Sequence, residues 1–389
     1  MELQRGTVEH MAMLDPSQTN VPTGEELERT YRGRRVLVTG HTGFKGSWLT
    51  SWLRELGAQV TGFALAPGTE PSMFDVLALE ERCHRHVIGD VRDADAVRAC
   101  VRDAEPEIVF HLAAQALVRE SYERPLETLA TNVMGTAHLL EALRQEKSNA
   151  AVVVVTSDKC YENQEWDYGY REDEPMGGHD VYSMSKGAAE LVVSSWRRSF
   201  FEPAIAAGTE GVWLASARAG NVIGGGDFAK DRIVPDVLRA LSAKQPVFVR
   251  NPRSVRPWQH VLEPLGGYLL LGARLCTGSA EERSRICQAW NFGPETGDTR
   301  TVAALVESFI HSFGEGEWKD GHRPGELHEA KLLRLSIEKA HARLGWRPRW
   351  AFPQTVQATA SWYAAWHRGA GRDELRNLTA EQIRQYVLG

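Results

Sequence analysis

Two short stretches concentrate residues able to move protons. The first is Val181-Tyr182-Ser183-Met184-Ser185-Lys186, which opens a run of helical character continuing through Leu191. Tyr182 and Lys186 are four residues apart, so on a helix they share one face. An ammonium close to a phenol favours the phenolate and lowers its pKa, which predicts Tyr182 as a proton acceptor supported by Lys186. The second stretch is Thr156-Ser157-Asp158-Lys159-Cys160-Tyr161. A hydroxyl, a carboxylate and an amine in succession offer a hydrogen-bonding group, an acid and a base. Ser157, Asp158, Lys159, Tyr182 and Lys186 are therefore the candidate catalytic residues. A tyrosine–lysine pair also arises by chance on ordinary helices, and one polar residue at a strand end means little. Together, and placed behind the elements that precede them, the two stretches point to proton-transfer chemistry.

Those elements are readable. Ala151 to Val155 is almost purely β-branched, hence a buried central strand, and it delivers Ser157 at the carboxyl end, where α/β enzymes place their chemistry. Further upstream, Val36 to Val38 reads as a buried parallel strand, followed by Gly40, Gly43 and Gly46. The pattern then becomes helical, with Trp48, Leu49, Trp52, Leu53 and Leu56 on one face. Strand, glycine turn and helix form the context of a dinucleotide fingerprint, in which the pyrophosphate rests on the helix N-terminus. An ordinary glycine-rich turn is the competing explanation. Gly40, Thr42, Gly43, Phe44 and Gly46 are the candidate contacts of that turn. No acidic residue ends the second strand, Gln59 to Leu65, so NAD and NADP both stay open; Lys45 is either near an extra phosphate or solvated.

His86 to Asp93 supplies a third strand and an acidic turn, in which Asp90 and Val91 are candidates to meet the adenine and Asp93 suits a helix N-cap. Ile108 to Gln115 is a fourth strand ending in small residues. Leu112, Ala113 and Ala114 leave room for a ligand at the switch point of the sheet, while His111 reads as a packed strand residue. A helix is expected from about Thr128 to Arg144, with Asn132 inside it either solvated or structural. Gly211 to Ala219 is another strand, and a glycine-rich turn, Gly220 to Asp227, follows. Beyond it Arg250, Arg253 and Arg256 cluster before Pro257-Trp258. Arginine suits bidentate phosphate recognition and tryptophan a stacking contact, the alternative being a solvated basic loop. Helices are expected at Ile233 to Leu241, Leu265 to Leu275, Thr301 to Phe313, Ile337 to Leu344 and Thr355 to His367.

The fold class is thus α/β: a Rossmann-type, doubly wound parallel sheet with a smaller α/β C-terminal substrate domain. The boundaries are 1–32, a poorly ordered extension closing with a short helix near Glu25 to Tyr31; 33–220, the dinucleotide-binding domain; and 221–389, mainly the substrate domain, with late segments returning to the sheet. A length of 389 residues suits two domains, and a net charge of −6 argues against a nucleic-acid partner. Five scattered cysteines without CxxC spacing read as reduced thiols and indicate neither a metal site nor disulfides. No run approaches the roughly 18 apolar residues of a membrane span, and no signal peptide is evident, so a cytoplasmic location is expected.

These stretches resemble the extended short-chain dehydrogenase/reductase family and, within it, the nucleotide-sugar 4,6-dehydratases. The resemblance runs from about Arg34 to about Ala365. It is carried by Val38 to Trp48, Phe110 to Gln115, Thr131 to Thr136, Thr156 to Asn163, Tyr182 to Gly187, Ala217 to Asp227, Arg256 to Leu265 and Trp290 to Pro294. The tyrosine–lysine pair is common to the superfamily; the Ser-Asp-Lys triplet is sharper. Relatives acting on dTDP- and GDP-sugars carry Asp-Glu or Glu after the hydroxyl residue, so Lys159 points to the CDP-sugar branch. Val181 stands where proline is usual and Leu335-Ser336 where Leu-Asp is common; neither touches the chemistry. The resemblance implies CDP-glucose as substrate and NAD as cofactor with NADP left open. It further implies substrate contacts from Gln115, Asn221, Arg232, Arg250, Arg256 and Trp258, and a homodimer or homotetramer built through helices. It also implies roles: Tyr182 and Lys186 for the C4 proton, Ser157 orienting that hydroxyl, Lys159 as base at C5 and Asp158 as acid at the C6 hydroxyl. A 4-epimerase needs the pair and the serine but neither Asp158 nor Lys159. A non-catalytic cofactor sensor typically loses the tyrosine or the lysine. A purely structural, helix-dimerising subunit would need none of them.

Overall fold

Seven short apolar runs pair into one parallel sheet. In the computed structural model, which describes residues 24–209, 211–321 and 333–388, they are β1 (Arg35–Thr39), β2 (Gln59–Ala64), β3 (Arg85–Ile88), β4 (Ile108–His111), β5 (Ala151–Val155), β6 (Trp213–Ala219) and β7 (Ala289–Phe292). Their order is β7-β6-β5-β4-β1-β2-β3. The chain reverses direction across the sheet between β1 and β4, so the ligand crevice of such a sheet opens at their carboxyl ends. Both faces of the sheet are covered, as its all-parallel pairing requires. Alternate residues serve opposite layers: Val36, Val38, Ile108, Phe110 and Val153 enter one core, and Leu37, Val109, Val152 and Val154 the other.

The first core is closed by α2 (Phe44–Glu55), α6 (Leu262–Thr277) and α8 (Arg372–Leu388), the second by α3 (Ala94–Ala104), α4 (Gly135–Gln145) and α5 (Val181–Trp196). Both α6 and β7 come from beyond Gly220, so the late chain contributes directly to the sheet layer. Of the expected N-terminal extension, residues 1–23 lie outside the described residues. Residues Gly24–Tyr31 form α1, with Leu27 and Tyr31 buried and the Tyr31 hydroxyl donating to the Leu269 carbonyl on α6 at 2.7 Å. The helix expected from Thr128 runs instead as Pro125–Leu129, a wide π turn Ala130–Met134, and α4. The region around the cleft's far end uses short pairings: Val247–Val249 with Trp318–Asp320, Val255–Arg256 with Arg300–Thr301, and Gln259–His260 with Val222–Ile223. Helix Val302–Phe313 packs there against α7 (Phe352–His367).

Helix α8, which the sequence did not announce, is tied down by a buried carboxylate. Glu263 on α6 accepts hydrogen bonds from the Arg349 and Trp350 amides, at 3.1 and 2.7 Å, and from the Tyr386 hydroxyl of α8 at 3.0 Å. Burial pushes its pKa from the usual 4.5 up to about 7, against the opposing effect of those hydrogen bonds and of Arg349. A carboxyl whose folded pKa exceeds its unfolded value stabilises the fold below the unfolded pKa and loses that contribution as pH rises through the folded one. The contribution of Glu263 to stability should therefore fall between about pH 4.5 and 7, by about 3 kcal/mol, while the buried His41, His111 and His260, lowered to about 3, contribute the opposite slope. Urea unfolding of the parent protein and Glu263→Gln across this range checks it: the stability of the parent relative to the variant should fall by about 3 kcal/mol from pH 4.5 to 7, and a constant difference would remove the role of Glu263.

Candidate active site

The glycine turn shapes the first half of the cleft. Gly40 has φ +75°, and a Cβ there would lie 2.6 Å from the Ala113 amide nitrogen; at Gly46 it would lie 2.1 Å from the Gly40 carbonyl. Only glycine allows β1, β4 and α2 to meet this closely. Helix α2 then begins at Phe44 with Gly43 as its N-cap and no side-chain cap, leaving its first amides for an anion. Gly40, Thr42, Gly43, Phe44 and Gly46 line a single cleft of about 1300 Å³ together with Asp90, Val91, Leu112, Ala113 and Ala114. Asp90 is held by Arg92, whose backbone amide donates to one oxygen at 2.9 Å and whose Nε donates to the other at 2.8 Å. Asp93 caps α3, accepting from the Asp95 and Ala96 amides. A site for one small ligand spans about 300–1,000 Å³. This cleft has room for a dinucleotide and a second ligand, and the residues present fit such a cofactor.

All five candidate catalytic residues line the same cleft. β5 ends at Val155, and Ser157 caps a tight turn, Asp158–Cys160, by accepting from the Lys159 amide at 3.2 Å. The Ser157 hydroxyl donates to Oδ1 of Asp158 at 3.0 Å, and Ser157 is a polar neighbour of Tyr182. Helix α5 starts at Val181 because Asp180 caps it, accepting from the Ser183 amide at 2.9 Å. Its first turn points Tyr182 into the cleft, and the Tyr182 amide donates to Ser121 at 3.2 Å. One turn on, Lys186 reaches back to the Val155 carbonyl at 3.5 Å, binding α5 to the end of β5. Ser157, Asp158, Tyr182 and Lys186 are buried and Lys159 is half-buried.

Two expectations need correction. Tyr182 is not acidified in this structure: burial pushes it up to about 12, and its polar neighbour Ser157 offsets only part of that. Lys186 is itself held down to about 8 by burial, so it is a weaker source of positive charge than an exposed ammonium. Gln115 is the second. It does not line the cleft; its side chain accepts from the Leu117 amide and donates to the Leu117 carbonyl and the Thr128 hydroxyl, both at 3.0 Å. Its backbone is clamped by Asn132, whose amide also reaches Ser185 at 2.8 Å. Asn132 sits in the wide turn and is structural. His111 is a packed strand residue, held between Thr39 at 2.7 Å and Thr136 at 3.2 Å and kept neutral by burial, which lowers its pKa to about 3.

At the far end Asn221, Arg232, Arg250, Arg256 and Trp258 all line the cleft. Asp227 orients Arg232 at 2.8 Å, and the enclosed Trp258 indole N–H has no partner among the described residues. Lys45, lowered to about 8 first by burial and then by Arg232, also lines the cleft and sits within the fields of Asp158 and Lys186. Its place on the first helical turn was visible in the sequence; its convergence with Arg232 was not. Phe248, exposed between two buried valines, is a cleft residue that the alternation of Val247–Val249 could have revealed. Among the described residues no group of three or more His, Cys, Asp or Glu could hold a metal ion.

Asp158 has a tight neighbour on its other side. A Cβ on Gly220 would lie 3.0 Å from Oδ2 of Asp158, and Gly220, Asp158 and Pro257 also wall a second cavity of about 330 Å³ behind the cleft. Gly220→Ala should displace the carboxyl by a few tenths of an ångström. We expect a turnover loss of about tenfold, since placement errors of one ångström cost about a hundredfold. Cofactor affinity measured by calorimetry should be unchanged.

The model of the GDP-mannose 4,6 dehydratase family matches residues 37–359. The chain belongs to this family. That membership bears out the expected dehydratase branch and the parallel, doubly wound sheet. Among curated members, the CDP-glucose 4,6-dehydratase of Salmonella typhimurium is 53% identical over 341 residues, covering 87% of this chain and 93% of its own. The dTDP-glucose 4,6-dehydratase 1 of Escherichia coli is 25% identical over 354 residues, covering 85% of this chain and 92% of its own. Among solved structures, the Thermus thermophilus UDP-glucose 4-epimerase in complex with NAD superposes with a TM-score of 0.69 at 26% identity. It covers 86% of this chain and 99% of the epimerase.

Proposed function

We propose that the protein is an NAD-dependent CDP-D-glucose 4,6-dehydratase, forming CDP-4-keto-6-deoxy-D-glucose and water. The observation that carries this reading is the Ser157-Asp158-Lys159 triplet facing Tyr182 and Lys186 in one cleft, in a chain 53% identical to a CDP-glucose 4,6-dehydratase. Gly40, Thr42, Gly43, Phe44, Gly46, Asp90, Val91, Leu112, Ala113, Ala114 and Lys186 hold the cofactor, which supplies a hydride acceptor for C4 and a hydride donor for C6. Tyr182 takes the C4 hydroxyl proton while Ser157 orients that hydroxyl. The C4 ketone acidifies C5, from which Lys159 removes a proton, and Asp158 protonates the departing C6 hydroxyl. Lys159, whose ammonium hydrogens exchange with solvent, then returns a proton to C5. Arg232, Arg250 and Arg256 meet the diphosphate, and Asn221 and Trp258 the remaining substrate.

Residues 33–220 act as the cofactor domain and 221–389 mainly as the substrate domain. We place the enzyme in the cytoplasm: all five cysteines are free, and no helix among the described residues is long and apolar enough to cross a membrane. Exposed Leu126, Met134, Met184, Leu191 and Phe200 on neighbouring helices support a homodimer, or a tetramer built from it. Sedimentation reads this directly.

The function is tested by incubating the protein and NAD with CDP-, dTDP-, GDP- and UDP-glucose in heavy water and reading the products by NMR. A 4-keto-6-deoxy sugar from CDP-glucose alone, deuterated at C5, is expected. Interconversion of glucose and galactose forms would sink the reading in favour of an epimerase.

A further inference from the structure

The proton balance of this reaction has an unassigned step. The proton of the C4 hydroxyl ends on Tyr182. C5 gives one proton to Lys159 and takes one back from it after the ammonium has exchanged with solvent, so this step balances by itself. The proton given by Asp158 leaves in the water molecule. Each turnover therefore leaves Asp158 one proton short and Tyr182 one proton long. The next turnover needs the reverse, a phenolate and a carboxylic acid, whereas a phenol and a carboxylate are the ordinary states at neutral pH.

Ser157 lies between the two groups. Its hydroxyl donates to Oδ1 of Asp158 at 3.0 Å, it is a polar neighbour of Tyr182 that lowers the phenol's pKa, and all three residues are buried and line the same cleft. A serine hydroxyl has one hydrogen and two acceptor positions, so it can accept from one neighbour while donating to the other. We propose, on the dehydratase reading above, that Ser157 relays the proton from Tyr182 to Asp158. The Tyr182 O–H bond breaks, Oγ of Ser157 takes that proton, and Oγ releases its own hydrogen to Oδ1. Phenol plus carboxylate becomes phenolate plus carboxylic acid, with no change in total charge and no exchange with bulk water. The proton removed at the C4 oxygen in one turnover is thus the proton spent at the C6 oxygen in the next.

The experiment uses Lys159→Met, which halts the reaction after C4 oxidation, mixed with NAD and CDP-D-glucose in weak buffer containing a pH indicator. Formation of reduced nicotinamide is followed optically, proton release by the indicator and carboxyl protonation by infrared difference spectroscopy with labelled aspartate. With the relay, oxidation releases no proton per site and a protonated carboxyl band appears, lost in Lys159→Met/Asp158→Asn. In Ser157→Ala/Lys159→Met, oxidation is slower, one proton per site is released and the band is absent; Ser157→Thr restores the first pattern. One proton released and no carboxyl band with Ser157 intact would overturn the relay while leaving the dehydratase reading in place. No reduced nicotinamide in Lys159→Met would overturn the dehydratase reading and the relay with it.

Discussion

Lys159→Met is expected to oxidise CDP-D-glucose at C4 and then stop, with reduced nicotinamide accumulating and full turnover falling about a thousandfold. The magnitude follows from losing a positioned general base, which contributes about 10²–10⁴. The side chain is half-buried beside the buried Ser157 and Asp158, and methionine keeps its length and apolar stem. The turn that holds it is fixed by its own amide, which donates to Ser157 at 3.2 Å and survives the substitution. The ketone should therefore form with Tyr182, Ser157 and Lys186 intact. Product NMR together with optical detection of reduced nicotinamide separates the half-reactions; normal dehydratase turnover would remove Lys159 from the mechanism.

A second large effect is expected from Glu190→Ala, this time on stability. Glu190 and Arg218 form a buried ion pair at 2.8 Å. The Glu190 carboxylate also accepts from the Thr156 and Ser216 hydroxyls, and Arg218 donates to the Tyr161 hydroxyl at 2.7 Å and the Glu172 carbonyl at 3.0 Å. Burial alone would raise the Glu190 pKa, but Arg218 and these hydrogen bonds more than offset it and hold the carboxyl below its usual value. Removing the carboxylate leaves a guanidinium in the core without its paired counter-charge, which typically costs about 3–5 kcal/mol. The urea midpoint should fall accordingly. Turnover should fall as well, because Thr156 and Tyr161 bracket the catalytic triplet and both depend on this network. An unchanged midpoint would mean that water reaches Arg218.

The site was legible where chemistry and local pattern coincide. The β-branched run of β5, the glycines at 40, 43 and 46 and the Tyr182–Lys186 spacing each encode geometry within a few residues. What escaped reading depends on contacts between distant segments. A glutamine after a strand looks the same whether it faces a ligand or a helix, and Gln115 is settled only by Asn132 and Thr128. The phenol of Tyr182 was expected to follow its lysine neighbour, yet desolvation, a property of the whole surround, dominates. Glu190 reads as an ordinary helical residue until Arg218, on strand β6, is placed beside it. Helix α8 is mostly polar, and its few buried residues, such as Leu375, Ile383 and Tyr386, give a weak stripe that acquires meaning only against α2 and α6.

The order of the sheet also bears on how the protein is made. β6 lies beside β5 on one side and β7 on the other, and β7 consists of residues 289–292. A nascent chain therefore completes six strands and then carries an unpaired edge of buried-type sequence, Leu214 to Ala219, while another stretch of synthesis proceeds. Such an edge is a template for the strands of neighbouring chains. Fragments that end before β7 are expected to aggregate, however complete their glycine turn, and light scattering of a chain ending before Ala289 checks it.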